Sequence, residues 1–160
     1  MATPPFTLSS AHSKVKIAQA LWNTQNANLV TAAYTTDSVW RNRSTFVTGH
    51  ESIRQFLTSK WEREKGYKLR KELFSFSENK IAVQFWYEYS LDPALKTDWF
   101  RCYGLEHWVF APDGKMARRQ MCGNDISIEP QERWFKDDID PDSVEISAEH
   151  WTLDKPVFQE

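Results

Sequence analysis

The chain has 160 residues, with 20 Lys and Arg against 22 Asp and Glu and a formal net charge of −2. That length suits one core of ordinary size, and the balanced charge gives no broad basic footprint for nucleic acid. No run of about 18 apolar residues marks a membrane span, and the N-terminus MATPPFTLSSAHSK carries no apolar or Arg-rich leader, so the chain reads as an untargeted, soluble, cytoplasmic protein with no membrane partner. Its 8 Trp, 10 Phe and 5 Tyr exceed the needs of one core and suit a ligand cavity or a subunit interface.

In chain order, AHSKVKIAQALWNT sets Val15, Ala18, Leu21 and Trp22 on one helical stripe, with Ser9 or Ser10 as the cap. A short second helix follows in NANLVTAAY, capped by Asn26. DSVWRNR then alternates in period two and reads as a strand, with STFVTG as a turn or short strand. Thr48-Gly49-His50-Glu51 has the spacing of a capping box. It opens a third helix with Ile53, Phe56, Leu57, Lys60 and Trp61 on one face and Gly66 as a left-handed stop.

Beyond Gly66 the pattern is antiparallel sheet. Pairing Ser77 with Lys80 across a Glu78-Asn79 turn sets Phe76 opposite Ile81, Phe74 opposite Val83 and Arg70 opposite Tyr87, leaving Leu69, Leu73 and Trp86 to an outer face. A Pro112-Asp113-Gly114 turn pairs Ala111 with Lys115 and, by counting on, Arg101 with Asp125 and Tyr103 with Gly123. The fold class is α+β: a cone-shaped half-barrel, its curved antiparallel sheet carrying three helices from the N-terminal half on the concave side. Residues 1–10 are a flexible lead, 11–136 the domain, and 137–160 an acidic tail, loosely docked or disordered. The tail holds eight acids and one lysine, with Trp151 and Phe158 available to dock it.

In this register Trp99, Arg101, Tyr103 and Asp125 share one face. A carboxylate beside a guanidinium in aromatic surroundings keeps its charge and serves as a base or an anchor; the plainer reading is an ordinary cross-strand ion pair. A bulge at Gly104 or Gly123 would bring Glu106 and Asn124 to that face instead, and an unpaired buried Glu106 would stay protonated and act as an acid. In the first strand, Trp40 and Asn42 point one way and Arg41 and Arg43 the other. The first pair suits an enclosed wall or a core Trp beside a turn-forming Asn, and the second suits solvent or carboxylates on a neighbouring strand. His12, His50, His107 and His150 have no metal-ligand spacing, and Cys102 and Cys122 read as two thiols rather than a disulfide framework.

The segments DSVWRNRSTFVTGHESIRQFLTSKWERE, WFRCYGLEHWVF and ARRQMCGNDISI, in this order of elements, resemble the nuclear-transport-factor-2-like superfamily. The nearest likeness is its SnoaL-like branch, which includes an uncharacterised family of small proteins. The resemblance covers residues 11–136. It implies a conical barrel with a deep pocket, commonly a homodimer through the outer sheet face. It also implies chemistry of the kind found in ketosteroid isomerases, scytalone dehydratases, limonene epoxide hydrolases and polyketide cyclases, which generally need no cofactor. Trp40-Arg41-Asn42 resembles the epoxide hydrolases' aromatic-x-Asn, and Asp125 falls on the last strand, where a catalytic aspartate is found. The chain departs from that pattern in lacking an Arg-x-Asp around Glu88, and Asp37 only approximates the isomerase base position.

These readings give an expected cofactor-independent isomerase, cyclase, hydratase or lyase acting on a small apolar, oxygenated molecule. Asp125, Arg101 and Tyr103 are the catalytic candidates, and Trp40, Asn42, Tyr87, Trp99, Glu106 and Asn124 the substrate-binding ones, with no metal. The alternatives are a non-catalytic ligand-binding protein of the same fold and a protein-interaction module.

Overall fold

The computed structural model describes residues 1–152; residues 153–160, Phe158 among them, lie outside the described part. Helix α1, Leu8–Asn23, is capped by Thr7, one turn ahead of the expected serines, and buries Ala11, Val15 and Trp22. Phe6 is buried edge-on against Phe110, so the packed body begins before residue 11. Helix α2, Ala27–Thr31, has the expected cap, with the Asn26 side chain accepting from the amides of Asn28 and Leu29.

Strand β1, Tyr34–Asn42, turns through Arg43 and Ser44 into β2, Thr45–Thr48, and helix α3, Gly49–Arg63, follows at once. Thr48 is the cap residue, but its side chain makes no cap hydrogen bond. The Glu51 carboxylate accepts instead from Arg54 and Gln55, so the capping box does not form. Ile53, Leu57, Lys60 and Trp61 are buried as the spacing predicts. The helix ends at Glu64, whose backbone is extended, and Gly66, with φ +62°, falls inside the next strand rather than stopping the helix. A Cβ there would stand 2.8 Å from the Trp99 ring, so both the backbone turn and the close approach require glycine.

Strands β3 (Lys65–Ser77), β4 (Lys80–Ser90), β5 (Trp99–Phe110) and β6 (Met116–Ile128) complete one curved six-stranded sheet in the order β2-β1-β6-β5-β4-β3. All pairings are antiparallel except β1 with β6, which is parallel and makes the sheet mixed. The three helices lie on the concave face. No helix among the described residues is long and apolar enough to cross a membrane.

Two bulges set which residues face inward. On β3 the expected pairs Ser77 with Lys80 and Phe76 with Ile81 form, but Phe74 is then extra, and Leu73 pairs with Val83 and Leu69 with Tyr87. Phe74 is therefore exposed, while Leu69 and Leu73 enter the core instead of the outer face. On β6, Phe110 pairs with Met116 as expected, then Ala117 is extra and Val109 pairs with Arg118. Beyond that point every partner shifts by one, and alternation hands the inner face to the other set of side chains. Arg101 sits opposite Ile126, Cys102 opposite Asp125, and Gly104 opposite Gly123.

The outer face of β3–β5 is covered by residues 129–152, which run across it in three short 3₁₀ turns, Pro130–Glu132, Pro141–Ser143 and Ala148–His150. Glu88 anchors this strap: buried on the outer face, its Oε1 accepts from the Trp134 amide at 2.9 Å and the Phe135 amide at 2.8 Å, while Oε2 accepts from Arg101 at 2.9 Å. Phe135 and Ile146 pack on Trp86, with Trp151 edge-on to it. Lys68 donates to the carbonyls of Asp137 and Ile139, and Arg70 to that of Val144. A buried pair broken from one side costs about 3–5 kcal/mol, because a charge is left without a partner. Glu88→Gln puts an amide donor against two backbone donors and leaves Arg101 uncompensated. It is expected to lower unfolding free energy by about 3 kcal/mol in urea titrations and to speed proteolytic cleavage within residues 129–152.

Candidate active site

The inner face of β5 and β6 carries Cys102, Gly104, Glu106 and Trp108 beside Arg119, Met121, Gly123 and Asp125. Neighbouring strands add Trp40 and Asn42 from β1, Lys71 from β3, and Phe85, Tyr87 and Tyr89 from β4. Gly104 lets the Phe85 ring lie flat on the strand, since a Cβ would fall 1.8 Å from a ring carbon.

At the deep end these residues form a closed ionic cluster. Glu106 accepts from Lys71 through Oε1, and from Arg119 Nε at 2.8 Å and Trp108 Nε1 at 2.9 Å through Oε2. Arg119 also donates to Asn42 Oδ1 at 3.0 Å. Aromatic rings wall the cations: Lys71 lies 4.6 Å from the Phe85 ring centre, and Arg119 lies 4.6 Å from that of Trp40 and 4.8 Å from that of Trp22. Burial works against the Glu106 charge, but Lys71 and Arg119 outweigh it and hold the carboxyl at about 2. Burial lowers the Lys71 ammonium to about 8 despite the Glu106 charge beside it. With its side chain 1% exposed, Glu106 is an ionised anchor, and the protonated general acid expected of an unpaired Glu106 is not what the fold makes.

Toward the open end lies a cavity of about 390 Å³ between α3 and the strand ends. Asp125, its side chain 29% exposed, stands on the wall. Its Oδ1 accepts from Arg43 Nη2 at 2.7 Å and its Oδ2 from the Tyr89 hydroxyl at 3.0 Å. Arg43 reaches this position because it turns the chain with φ +56° and donates its amide to the Met121 carbonyl. Burial and the adjoining carboxylate push the Tyr89 hydroxyl above its usual range, so it stays a donor. The same two causes push the Cys102 thiol up to about 12, which removes it as a nucleophile at neutral pH. Lys60, on α3, donates to both oxygens of Glu64 at 2.9 Å and lies 4.3 Å from the centre of the Tyr87 ring; burial lowers its ammonium against the pull of Glu64.

The structure therefore divides the sequence candidates. Asp125, Asn42, Trp40, Tyr87 and Glu106 face the interior, whereas Arg101, Tyr103, Trp99 and Asn124 face outward. The expected pairing of Arg101 with Asp125 does not form; the single extra residue at Ala117 puts them on opposite faces. Arg101 binds Glu88 and the Glu132 carbonyl under the Trp134 ring, and Tyr103 stacks on His150. Trp99 lies beneath Arg133. Asn124 lines a separate outer groove of about 470 Å³ with no carboxylate among its described lining residues. Both cysteines are free. Lys71, Arg119, Tyr89, Lys60 and Glu64 were not foreseen as site residues, whereas Arg43 takes one of the two partners the sequence offered it, a carboxylate on a neighbouring strand. For Lys71 and Arg119 there was a signal, since each falls in the apolar phase of its strand, with Leu69 and Leu73 or with Met121.

Residues 4–136 match the model of a family described as a protein of unknown function, DUF1348. No curated protein matches by sequence. Among solved structures, the chain is similar to a protein with a ketosteroid isomerase-like fold from Catenulispora acidiphila, in complex with trimethylamine. The TM-score is 0.60 at 12% identity, over 68% of this chain and 84% of that one. It is also similar to the epoxide hydrolase/cyclase-like enzyme SalBIII of pyran ring formation in salinomycin, with TM-score 0.63, 14% identity, and 72% and 92% coverage. A third similar structure, a protein from Shewanella denitrificans assigned by likeness as a SnoaL-like polyketide cyclase, gives TM-score 0.60, 15% identity, and 71% and 90% coverage. The shared feature is the fold, the nuclear-transport-factor-2-like α+β cone.

The ionic cluster has a pH signature. The folded Glu106 carboxyl takes a proton only near 2, against an ordinary value of 4.5, so unfolding binds a proton between those values and falling pH favours the unfolded chain there. The stability it contributes is present above pH 4.5 and is lost toward pH 2. Glu106→Gln is expected to cost about 3–5 kcal/mol at neutral pH by leaving two buried cations unpaired, and to flatten that acid limb in denaturant titrations run from pH 5 to 2.

Proposed function

The chain belongs to the DUF1348 family, and from that premise we propose that it is a small-molecule enzyme working by proton transfer in the mouth cavity, of isomerase, cyclase, hydratase or lyase type and without a cofactor. The observation that carries this reading is the Asp125 carboxylate, held by Arg43 and Tyr89 on the wall of a 390 Å³ cavity with part of its surface open. A cavity of a few hundred Å³ with convergent polar groups is the usual form of a small-molecule site.

Asp125 is engaged by Arg43, Tyr89 and the Cys102 thiol, which leaves one of the roughly four lone-pair sites of a carboxylate for a substrate C–H or water proton. On a carbonyl substrate, Asp125 takes the α-proton and the C–H electron pair moves onto the carbonyl oxygen. Asn42, which lines the cavity, answers that charge: Arg119 fixes its Oδ1, and its Nδ2 has no acceptor among the described residues. Asp125 then returns the proton to another carbon, giving an isomer, or the electron pair expels a leaving group, giving elimination. The rings of Phe56, Tyr87 and Tyr89 supply the apolar walls an oxygenated hydrocarbon needs. A homodimer through the outer face would use the part the strap leaves open, where Phe46, Leu105 and Ile126 are exposed.

A second reading, a carrier with the same cavity, is favoured by the engagement of both Asp125 oxygens. Deuterium uptake from D₂O at the α-carbon of benzoylpropionate and benzoylpropionamide, followed by NMR, separates the two. The enzyme is expected to speed exchange above buffer, and Asp125→Asn to lower the rate by about a hundredfold or more while leaving ligand binding intact. Undiminished exchange in that variant removes Asp125 from the mechanism. Binding without exchange in the unaltered protein makes it a carrier.

A further inference from the structure

Helix α3 lines the mouth cavity with Phe56, Ser59, Lys60 and Arg63, positions separated by three and four residues and so stacked on one helical face. The charges around the cavity are unevenly matched. Arg43, Lys60 and Arg63 face two carboxylates, Glu64 and Asp125. Lys60 occupies both oxygens of Glu64 at 2.9 Å, and Arg43 occupies Asp125 at 2.7 Å. Arg63 has only a 3.6 Å approach to Glu64, longer than a hydrogen bond, and its side chain is 63% exposed. Around it, the hydroxyls of Ser44, Thr45 and Ser59 make no hydrogen bond to any described side chain or backbone group. Deeper in, Lys71 and Arg119 share the single carboxylate of Glu106, so the interior adds a second unbalanced positive charge.

We propose that the mouth cavity selects a small organic anion, a carboxylate-bearing molecule whose acid group docks at the outer end of α3 on Arg63 and the Ser59 hydroxyl while its apolar part runs inward past Phe56. The inference rests on the mouth cavity being the ligand site and adds the charge of the ligand. Two carboxylates in the cavity would repel an anion only if they were unpaired, and both are already neutralised by Lys60 and Arg43. A guanidinium that only approaches a carboxylate already held by Lys60, and makes no hydrogen bond among the described residues, offers two parallel donors to a ligand carboxylate. The hydroxyls beside it supply the remaining donors, and a neutral ligand would leave the guanidinium unanswered.

The test uses the full chain and a matched pair of ligands, benzoylpropionate and benzoylpropionamide, by isothermal titration at low salt. The acid is expected to bind about tenfold tighter than the amide and to weaken as salt rises, with the amide insensitive. Arg63→Gln, at an exposed position that the fold does not depend on, is expected to remove that advantage and leave amide binding unchanged; Arg63→Glu should turn the preference toward the amide. Equal affinity for acid and amide, or equal losses for both in Arg63→Gln, overturns the anion preference and leaves the cavity as the small-molecule site. Absence of saturable binding by either ligand overturns the preference and the site together. Undiminished deuterium exchange in Asp125→Asn with the acid preference intact overturns the proton-transfer reading alone and upholds the anion preference.

Discussion

Glu106 ties the interior of the cone together. Its two oxygens take donors from three strands, Lys71 on β3, Trp108 on its own strand and Arg119 on β6, and through Arg119 the contact reaches Asn42 on β1. Isolated, any of these charges in the core would cost several kcal/mol of lost hydration. Together they satisfy one another, and the faces of Trp22, Trp40, Phe85 and Trp108 supply a weak negative environment for the excess cation. A cluster so arranged has little freedom. It fixes the sheet's curvature at the deep end and positions the one amide, that of Asn42, which connects it to the open end.

The same device recurs on the convex side. Glu88 is as buried as Glu106, and it too is satisfied by one arginine and by groups from another segment, here the backbone amides of Trp134 and Phe135. Residues 137–152 of the acidic tail meet the sheet along this surface, less by ion pairs than by donation from Lys68 and Arg70 to backbone carbonyls. Asp142 pairs directly with Lys16 at 2.8 Å and, more loosely, with Arg70 at 3.8 Å. Burial opposes the Asp142 charge, but the Lys16 contact outweighs it and lowers its carboxyl.

That covering explains why the strand faces were hard to assign from sequence. Period-two reasoning needs one wet face and one dry one. On β4 and β5 both are dry, with Phe85 and Tyr87 inside, Trp86 outside, Cys102 inside and Arg101 outside, all buried. Trp99, Arg101 and Tyr103 therefore made as good an inner set as Cys102, Gly104 and Glu106, and one extra residue at Ala117 decided between them. Nothing in the residue types around Ala117 marks a bulge. Where one face is wet the reading held, as for the α3 stripe and for Trp40 and Asn42 on β1. The turn at Pro112-Asp113-Gly114 was legible because its glycine must take a positive φ. For Arg43 a carboxylate partner was offered by the sequence, but not its inward turn or which carboxylate, because a left-handed arginine in a two-residue turn has no sequence mark and Asp125 lies 82 residues away.

Between the two ends runs a ladder of rings, Tyr67 to Tyr87 to Tyr89 to Phe100, with centroids 5.2, 5.6 and 5.5 Å apart. Burial raises the hydroxyls of all three tyrosines, so the rings packed between mouth and cluster carry neutral groups. Charge that can respond to an entering molecule is thus confined to the mouth. A charge held by its counter-charge in a dry interior cannot exchange that partner without leaving another charge unpaired, and that is the condition of Glu106, Lys71 and Arg119. Asp125 and Arg63 are partly open, so water fills what the protein does not, and a ligand can replace that water at little cost. The deep cluster and the strap make the cone rigid from its two sides. The chemistry open to the chain is left to the few residues at the rim that neither one holds.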